Sequence, residues 1–187
     1  MPKTAKARKK TAKHSKSTKK AQRAASRRAQ SLAKRIEEGA RGLAAFAQGL
    51  SETEWRAPLA AGGTDRRPIG VIVHHVASVY PIEVHVARVI ASGKAITDVT
   101  WDAIAEMNAK HASDQEAVTK AATLELLRRN SSEAAAAVRG FTDEELDSAA
   151  PFSLSFGAPV TAQFVIEDHA LRHSWHHLAR IRQTLGR

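Results

Sequence analysis

Residues 160 to 185 read VTAQFVIEDHALRHSWHHLARIRQTL, a stretch with neither Gly nor Pro. Its apolar residues Ala162, Ile166, Ala170 and Ile181 recur at helical spacing, which predicts one long helix with a buried face. His173 and His177 fall on that stripe. Side chains four residues apart on a helix stand side by side, about 5 to 6 Å between Cβ atoms, so the two imidazoles can grip a single ion. His169 and His176 lie on the flank of the apolar arc.

Two histidines leave a metal site short of donors, so another helix has to supply more. Upstream, residues 69 to 90 read IGVIVHHVASVYPIEVHVARVI, with Ile72, His75, Val79, Ile82, Val86 and Val89 forming one stripe. His75 therefore occupies a core position, whereas His74 shares a face with Ser78, Pro81 and His85. The pattern predicts a metal site of His75, His173 and His177 facing inward from two helices. The competing reading is a set of hydrogen-bonded core histidines. Neither stripe shows a carboxylate to pair with them, which favours the ion.

Three histidines without a fourth protein ligand would leave a coordination position for water or substrate, as catalytic zinc sites do. An ion so held keeps its positive charge and acidifies a bound water or thiol. Nitrogen donors suit zinc, nickel, iron and manganese alike. His74, Asn108 and His176 are second-tier catalytic candidates, with His169 beside them. For Asn108 the alternative is a structural hydrogen bond, and for His111 exposure near a helix end.

The remaining segments follow the same periodicities. A helix starts near Ser31 with Leu32, Ile36, Leu43, Ala44 and Phe46 on its apolar face and ends near Gly49. Ser51 with Glu54, and Thr142 with Glu145, are capping-box pairs for short helices. Trp55 is expected to pack beneath the following loop, and Pro81 to kink the His75 helix, which ends near Gly93. Helices are expected around DVTWDAIAEMNAKHA and from about 114 to 139, and Phe152, Leu154 and Phe156 alternate as a short strand would.

The formal net charge of +10 is unevenly placed. Residues 1 to 35 carry 14 Lys and Arg and no Asp or Glu, leaving 15 basic against 19 acidic residues in the rest. Residues 1 to 31 therefore read as a basic low-complexity arm, disordered or partly helical, ahead of a mildly acidic domain over 32 to 187. Residues 1 to 35 would bind nucleic acid or another polyanion through counterion release, or else serve as a solubilising or targeting extension. Cysteine is absent, so disulfides and thiolate ligands are excluded. No apolar run approaches the ~20 residues of a membrane span, and the chain is expected to be soluble and cytoplasmic.

VHHVAS at 73 to 78, together with HSWHHLARIR at 173 to 182, resembles the DinB-like superfamily of metal-binding four-helix bundles, especially its YfiT-like branch of metal-dependent hydrolases and thiol transferases. WDAIAEMNA and FTDEELD extend the resemblance over about 32 to 187. It implies an all-α, up-down-down-up bundle with short extra helices. It also implies a divalent ion, zinc or nickel, held at the positions of His75, His173 and His177, and a low-molecular-weight thiol as cosubstrate. Ser78 stands where many relatives carry Asp, and Arg180 where Gln or His is common. A small-molecule substrate is the partner this expectation carries; a homodimer is expected separately, since bundles that expose an apolar face commonly pair.

Overall fold

Four long segments with an apolar face each need a partner for it, and a bundle satisfies all four. The computed structural model describes residues 26–60 and 65–187 and contains the expected four: α1 (Arg27–Gln48), α3 (Ile69–Ala91), α5 (Lys120–Arg139) and a C-terminal helix. Shorter helices α2 (Glu52–Arg56), α4 (Trp101–Asp114) and α6 (Asp143–Asp147) lie in the connections. Successive bundle helices α1 and α3 are not principal neighbours: each packs on α5 and on the C-terminal helix. The expected all-α bundle is thus the observed one.

Helix starts follow local chemistry. Ser26, Thr100 and Thr119 accept backbone N–H bonds at the starts of α1, α4 and α5, and both capping boxes form as their spacing predicts. Helix α1 begins four residues ahead of Ser31. Ser26 donates to Asp143, and Arg28 forms a two-pronged pair with Asp147 at 2.7 and 2.8 Å, which ties this start to α6. Most of the basic arm, residues 1 to 25, lies outside the described residues.

Helix α3 is the core of the bundle, with fourteen buried residues from Ile69 to Ile90. It is long and apolar enough to cross a membrane, contrary to the expectation that no such run exists, but 67% of its apolar window is buried by its neighbours. Pro81 does not end it. A proline has no N–H to give the carbonyl four residues back, here that of Ala77. The Asn130 side chain on α5 supplies the missing donor, Nδ2 to Ala77 O at 2.9 Å. At the helix start, Gly70 lets Trp55 lie flat against the backbone: a Cβ there would sit 2.4 Å from the indole. Trp55 is buried as expected, and its Nε1 donates to Val118 O at 3.1 Å.

Two local expectations change. The helix expected from about 114 begins only at Lys120, behind its Thr119 cap, because α4 runs on to Asp114 and a turn separates the two. Phe152, Leu154 and Phe156 are not a strand: the hairpin is β1 (Ala149–Pro151) against β2 (Pro159–Thr161). Between them Phe152 is buried, residues 153–155 form a single 3₁₀ turn, and Phe156 stands exposed at a φ of 57°.

The C-terminal helix also departs from uniform geometry. It runs as α7 (Ala162–Val165), a π-helical stretch over Ile166–Leu171, and α8 (Arg172–Leu185). A π turn adds a residue per turn, so Val165 and Ile166 are buried together with Ala170 and Leu171, five residues on. The shift sits immediately before His173. Ser174, His177, Leu178 and Ile181 then continue the buried face.

Candidate functional site

The site begins with α3 and α8 lying against each other. Tyr80 on α3 and Ser174 on α8, both buried, share a hydrogen bond of 2.6 Å that fixes their relative position. With the helices so placed, His75, His173 and His177 converge. One nitrogen from each ring lies within 4.8 Å of the others, and ring centroids are 5.0 Å apart for His75 and His173 and 4.8 Å for His173 and His177.

Glu83 is the buried carboxylate that the sequence stripe was expected to lack. It is 8% exposed and lies two turns beyond His75 on α3. Nδ1–H of His173 donates to Oε1 of Glu83 at 2.6 Å, so Nε2 of that ring is left to face a ligand. A carboxylate behind a histidine fixes the ring's tautomer and raises its basicity, the arrangement found behind metal-ligating imidazoles. The assignment of Ile82 rather than Glu83 to the buried stripe is corrected as well: Ile82 is 49% exposed.

Burial, reinforced by the neighbouring His173, pushes His75 down to about 3 from an ordinary 6.5. Burial drives His177 down further still. Both rings are therefore neutral across the physiological range, with lone pairs available. Nδ1 of His177 is buried without a hydrogen-bond partner among the described residues, an arrangement that costs stability unless something engages the ring. Three clustered imidazole nitrogens, one ring braced by a carboxylate, fit a borderline divalent ion such as zinc or nickel.

These residues form the floor of a cavity of about 600 Å³. Its walls are mainly apolar, with Val79, Ile82 and Val86 from α3 and Trp101, Ile104 and Met107 from α4. None of the residues of α4 is fully buried, so this helix is a cover laid over the cavity rather than part of the bundle core.

The second-tier candidates divide. His176, exposed, and His169, beside Phe152, line the cavity, as does Asn108. Asn108 does not make the structural bond expected of it, since its Oδ1 is buried with no partner among the described residues. His74 turns away: its Nδ1 meets Nε2 of His111 on α4 at 2.9 Å, and burial holds both rings below their usual range. His111 is accordingly half-buried rather than exposed. Ser78 and Arg180 also have partners. Ser78 Oγ donates to the His75 carbonyl at 2.9 Å, and Arg180 lies 3.7 Å from Asp65.

A residue the sequence did not flag is Arg67. It lines the cavity, and Asp65 holds one edge of its guanidinium through Nε at 3.0 Å and Nη2 at 2.9 Å. No local pattern marks it, because it lies in the loop before α3. Glu83 did leave a signal, since 75, 79 and 83 are spaced four apart on one helix face.

Fold and site together define a helical bundle with a three-histidine centre at the base of an apolar cavity. The chain belongs to the DinB superfamily, whose family model matches residues 35–181. Among solved structures it is similar to YfiT from Bacillus subtilis, described as a probable metal-dependent hydrolase with an unusual four-helix bundle topology. The two are 18% identical, with a TM-score of 0.65 over 83% of this chain and 85% of that one. It is also similar to the colibactin self-resistance protein ClbS, solved with double-stranded DNA, at 17% identity and TM-score 0.65 over 85% and 96% of the chains. A third similar structure is the mycothiol-dependent maleylpyruvate isomerase, at 15% identity and TM-score 0.60, where the match covers 82% of this chain and 60% of that protein's length. A search of the curated proteins by sequence finds no match.

Proposed function

We propose that this protein is a metal-dependent enzyme of the S-transferase or hydrolase type, in which His75, His173 and His177 hold a divalent ion, zinc or nickel. The observation that carries this reading is the convergence of three ring nitrogens within 4.8 Å at the floor of a cavity, one of them braced by Glu83. When bound, the ion supplies Lewis acidity that brings the deprotonation of a low-molecular-weight thiol or a water toward neutral pH.

The chain's own residues do the rest. Burial keeps His75 and His177 unprotonated, so proton competition for their lone pairs is weak. Glu83 orients His173 and places a negative charge one hydrogen bond behind it. The walls from α3 and α4 set mainly apolar surface around the histidines. His176 on the cavity wall, its proton affinity lowered by partial burial and by Arg172, is placed to take a proton from a substrate group.

The test is turnover of an electrophile by tag-free protein supplied with zinc or nickel, with and without glutathione or another small thiol. Activity that needs both thiol and metal supports a transferase, and metal-dependent activity without thiol supports a hydrolase. No dependence on metal contradicts both.

A second reading has its own support. ClbS was solved with double-stranded DNA, and residues 1 to 35 of this chain carry 14 basic residues and no acidic one. A bundle tethered to nucleic acid by that arm would lose affinity steeply with salt, and removing residues 1 to 25 would abolish the effect. Salt-independent binding, or equal binding without those residues, contradicts it.

A further inference from the structure

Arg67 is built into the cavity in an unbalanced way. Asp65 engages Nε and Nη2, at 3.0 and 2.9 Å, and so fixes the plane of the guanidinium. Asp65 is itself drawn toward Arg180 at 3.7 Å, so the group is anchored to α8 and not merely to its own loop. The side chain is only 19% exposed, and its Nη1 is fully buried with no hydrogen-bond partner among the described residues. A buried charged donor without an acceptor is costly, and that cost is removed when a ligand brings the acceptor.

We infer that Arg67 is the anchor for an anionic ligand, and that the molecule this cavity accepts carries a carboxylate at one end and an aliphatic or aromatic body beyond it. The inference rests on the metal-dependent reading and specifies its substrate class. A single unpartnered guanidinium nitrogen suits a monoanion, which reaches it by a small shift of the cavity lining. A phosphate dianion would meet too few donors and would face the carboxylates of Glu83, Asp98 and Asp168, which line the same cavity. Val79, Ile82, Trp101 and Met107 provide the apolar wall for the body. Asn108 Oδ1, likewise unpartnered among the described residues, is an acceptor and so is available to a hydroxyl or N–H on the body, not to the anion. With Arg67 holding the anion, the reacting end of the ligand is delivered toward the histidines on the cavity floor.

The experiment is calorimetric titration of the full chain with hexanoate and with hexanamide, which differ in charge but hardly in shape. It is run on metal-free and on zinc-loaded protein at about pH 8, where free imidazoles are neutral. Metal-free wild type is expected to bind hexanoate at least about tenfold more tightly than hexanamide, the scale of one hydrogen bond to a charged group. Arg67→Gln should erase that preference while keeping helical content and the zinc stoichiometry of the wild type, with some loss of thermal midpoint from the orphaned Asp65. Should Arg67→Gln unfold, Arg67→Lys keeps the charge without the planar fork and should retain a reduced preference.

Equal binding of the two probes by metal-free wild type, no binding of either, or an undiminished preference in Arg67→Gln overturns the inference. If the wild type fails to bind zinc yet prefers hexanoate through Arg67, the metal-dependent reading falls and the anion anchor stands. If zinc binds and the preference is absent, the reverse holds.

Discussion

Glu83 and His173, ninety residues apart in the chain, meet at 2.6 Å across the α3–α8 contact, carboxylate to ring N–H. This pairing distinguishes the cluster from three histidines that merely share a core. Glu83→Gln keeps the shape but weakens the acceptor and removes the charge behind the ring. Its affinity for zinc is expected to fall about 10- to 100-fold, read by competition with a chromophoric chelator, with helical content unchanged. Wild-type affinity in this variant would mean that the pair serves packing alone.

Asn130 answers a defect that Pro81 creates, by donating to the carbonyl of Ala77 that the proline leaves without an intrahelical partner. Asn130→Ala is expected to cost about 1–3 kcal/mol in urea unfolding, since a buried carbonyl is then orphaned. In a Pro81→Ala background, where a backbone N–H returns, the same change should cost clearly less. Equal costs in both backgrounds would show that Asn130 acts independently of the proline.

Gly70 is required by contact rather than by backbone conformation. A methyl group there would press into the Trp55 indole at 2.4 Å, displacing α2 from the start of α3. Gly70→Ala should destabilise by about 1–3 kcal/mol, the range for overpacking, and the Trp55 emission should shift to longer wavelength as water reaches the ring. A neutral substitution would show that the indole can move aside.

The metal-free protein should be acid-sensitive. Burial holds His75 at about 3 against 6.5 in the unfolded chain, and His177 is lowered too. As pH falls below about 6.5 the unfolded chain binds protons that the folded chain does not, so stability is full above that value and declines toward pH 3. Urea midpoints of metal-free protein should drop between about pH 7 and 5, and His75→Gln should flatten part of the decline. A profile identical to that variant's would show that His75 titrates normally.

Much of this structure was legible from residue spacing because helix periodicity is local. The stripes of α1 and α8, most of that of α3, both capping boxes and the inward placement of His75 and His177 follow from three- and four-residue recurrences. What escaped depends on contacts between elements. Ile82 and Glu83 compete for one face of α3, and periodicity alone favoured the apolar one. Only α8, by bringing His173 to the carboxylate, settles which is buried. The π turn before His173 has no Gly or Pro to announce it. Arg67 gains its place from Asp65 and a cavity wall that no short window of sequence contains.

The central claim is that the three imidazoles hold a metal ion. Elemental analysis of protein purified without a histidine tag, alongside His75→Ala and His177→Ala handled identically, tests it most directly. About one equivalent of zinc or nickel in the wild type, with near-complete loss in both variants, is the predicted result. Equal trace metal in all three would contradict the account and leave a histidine-lined core with no ion to serve.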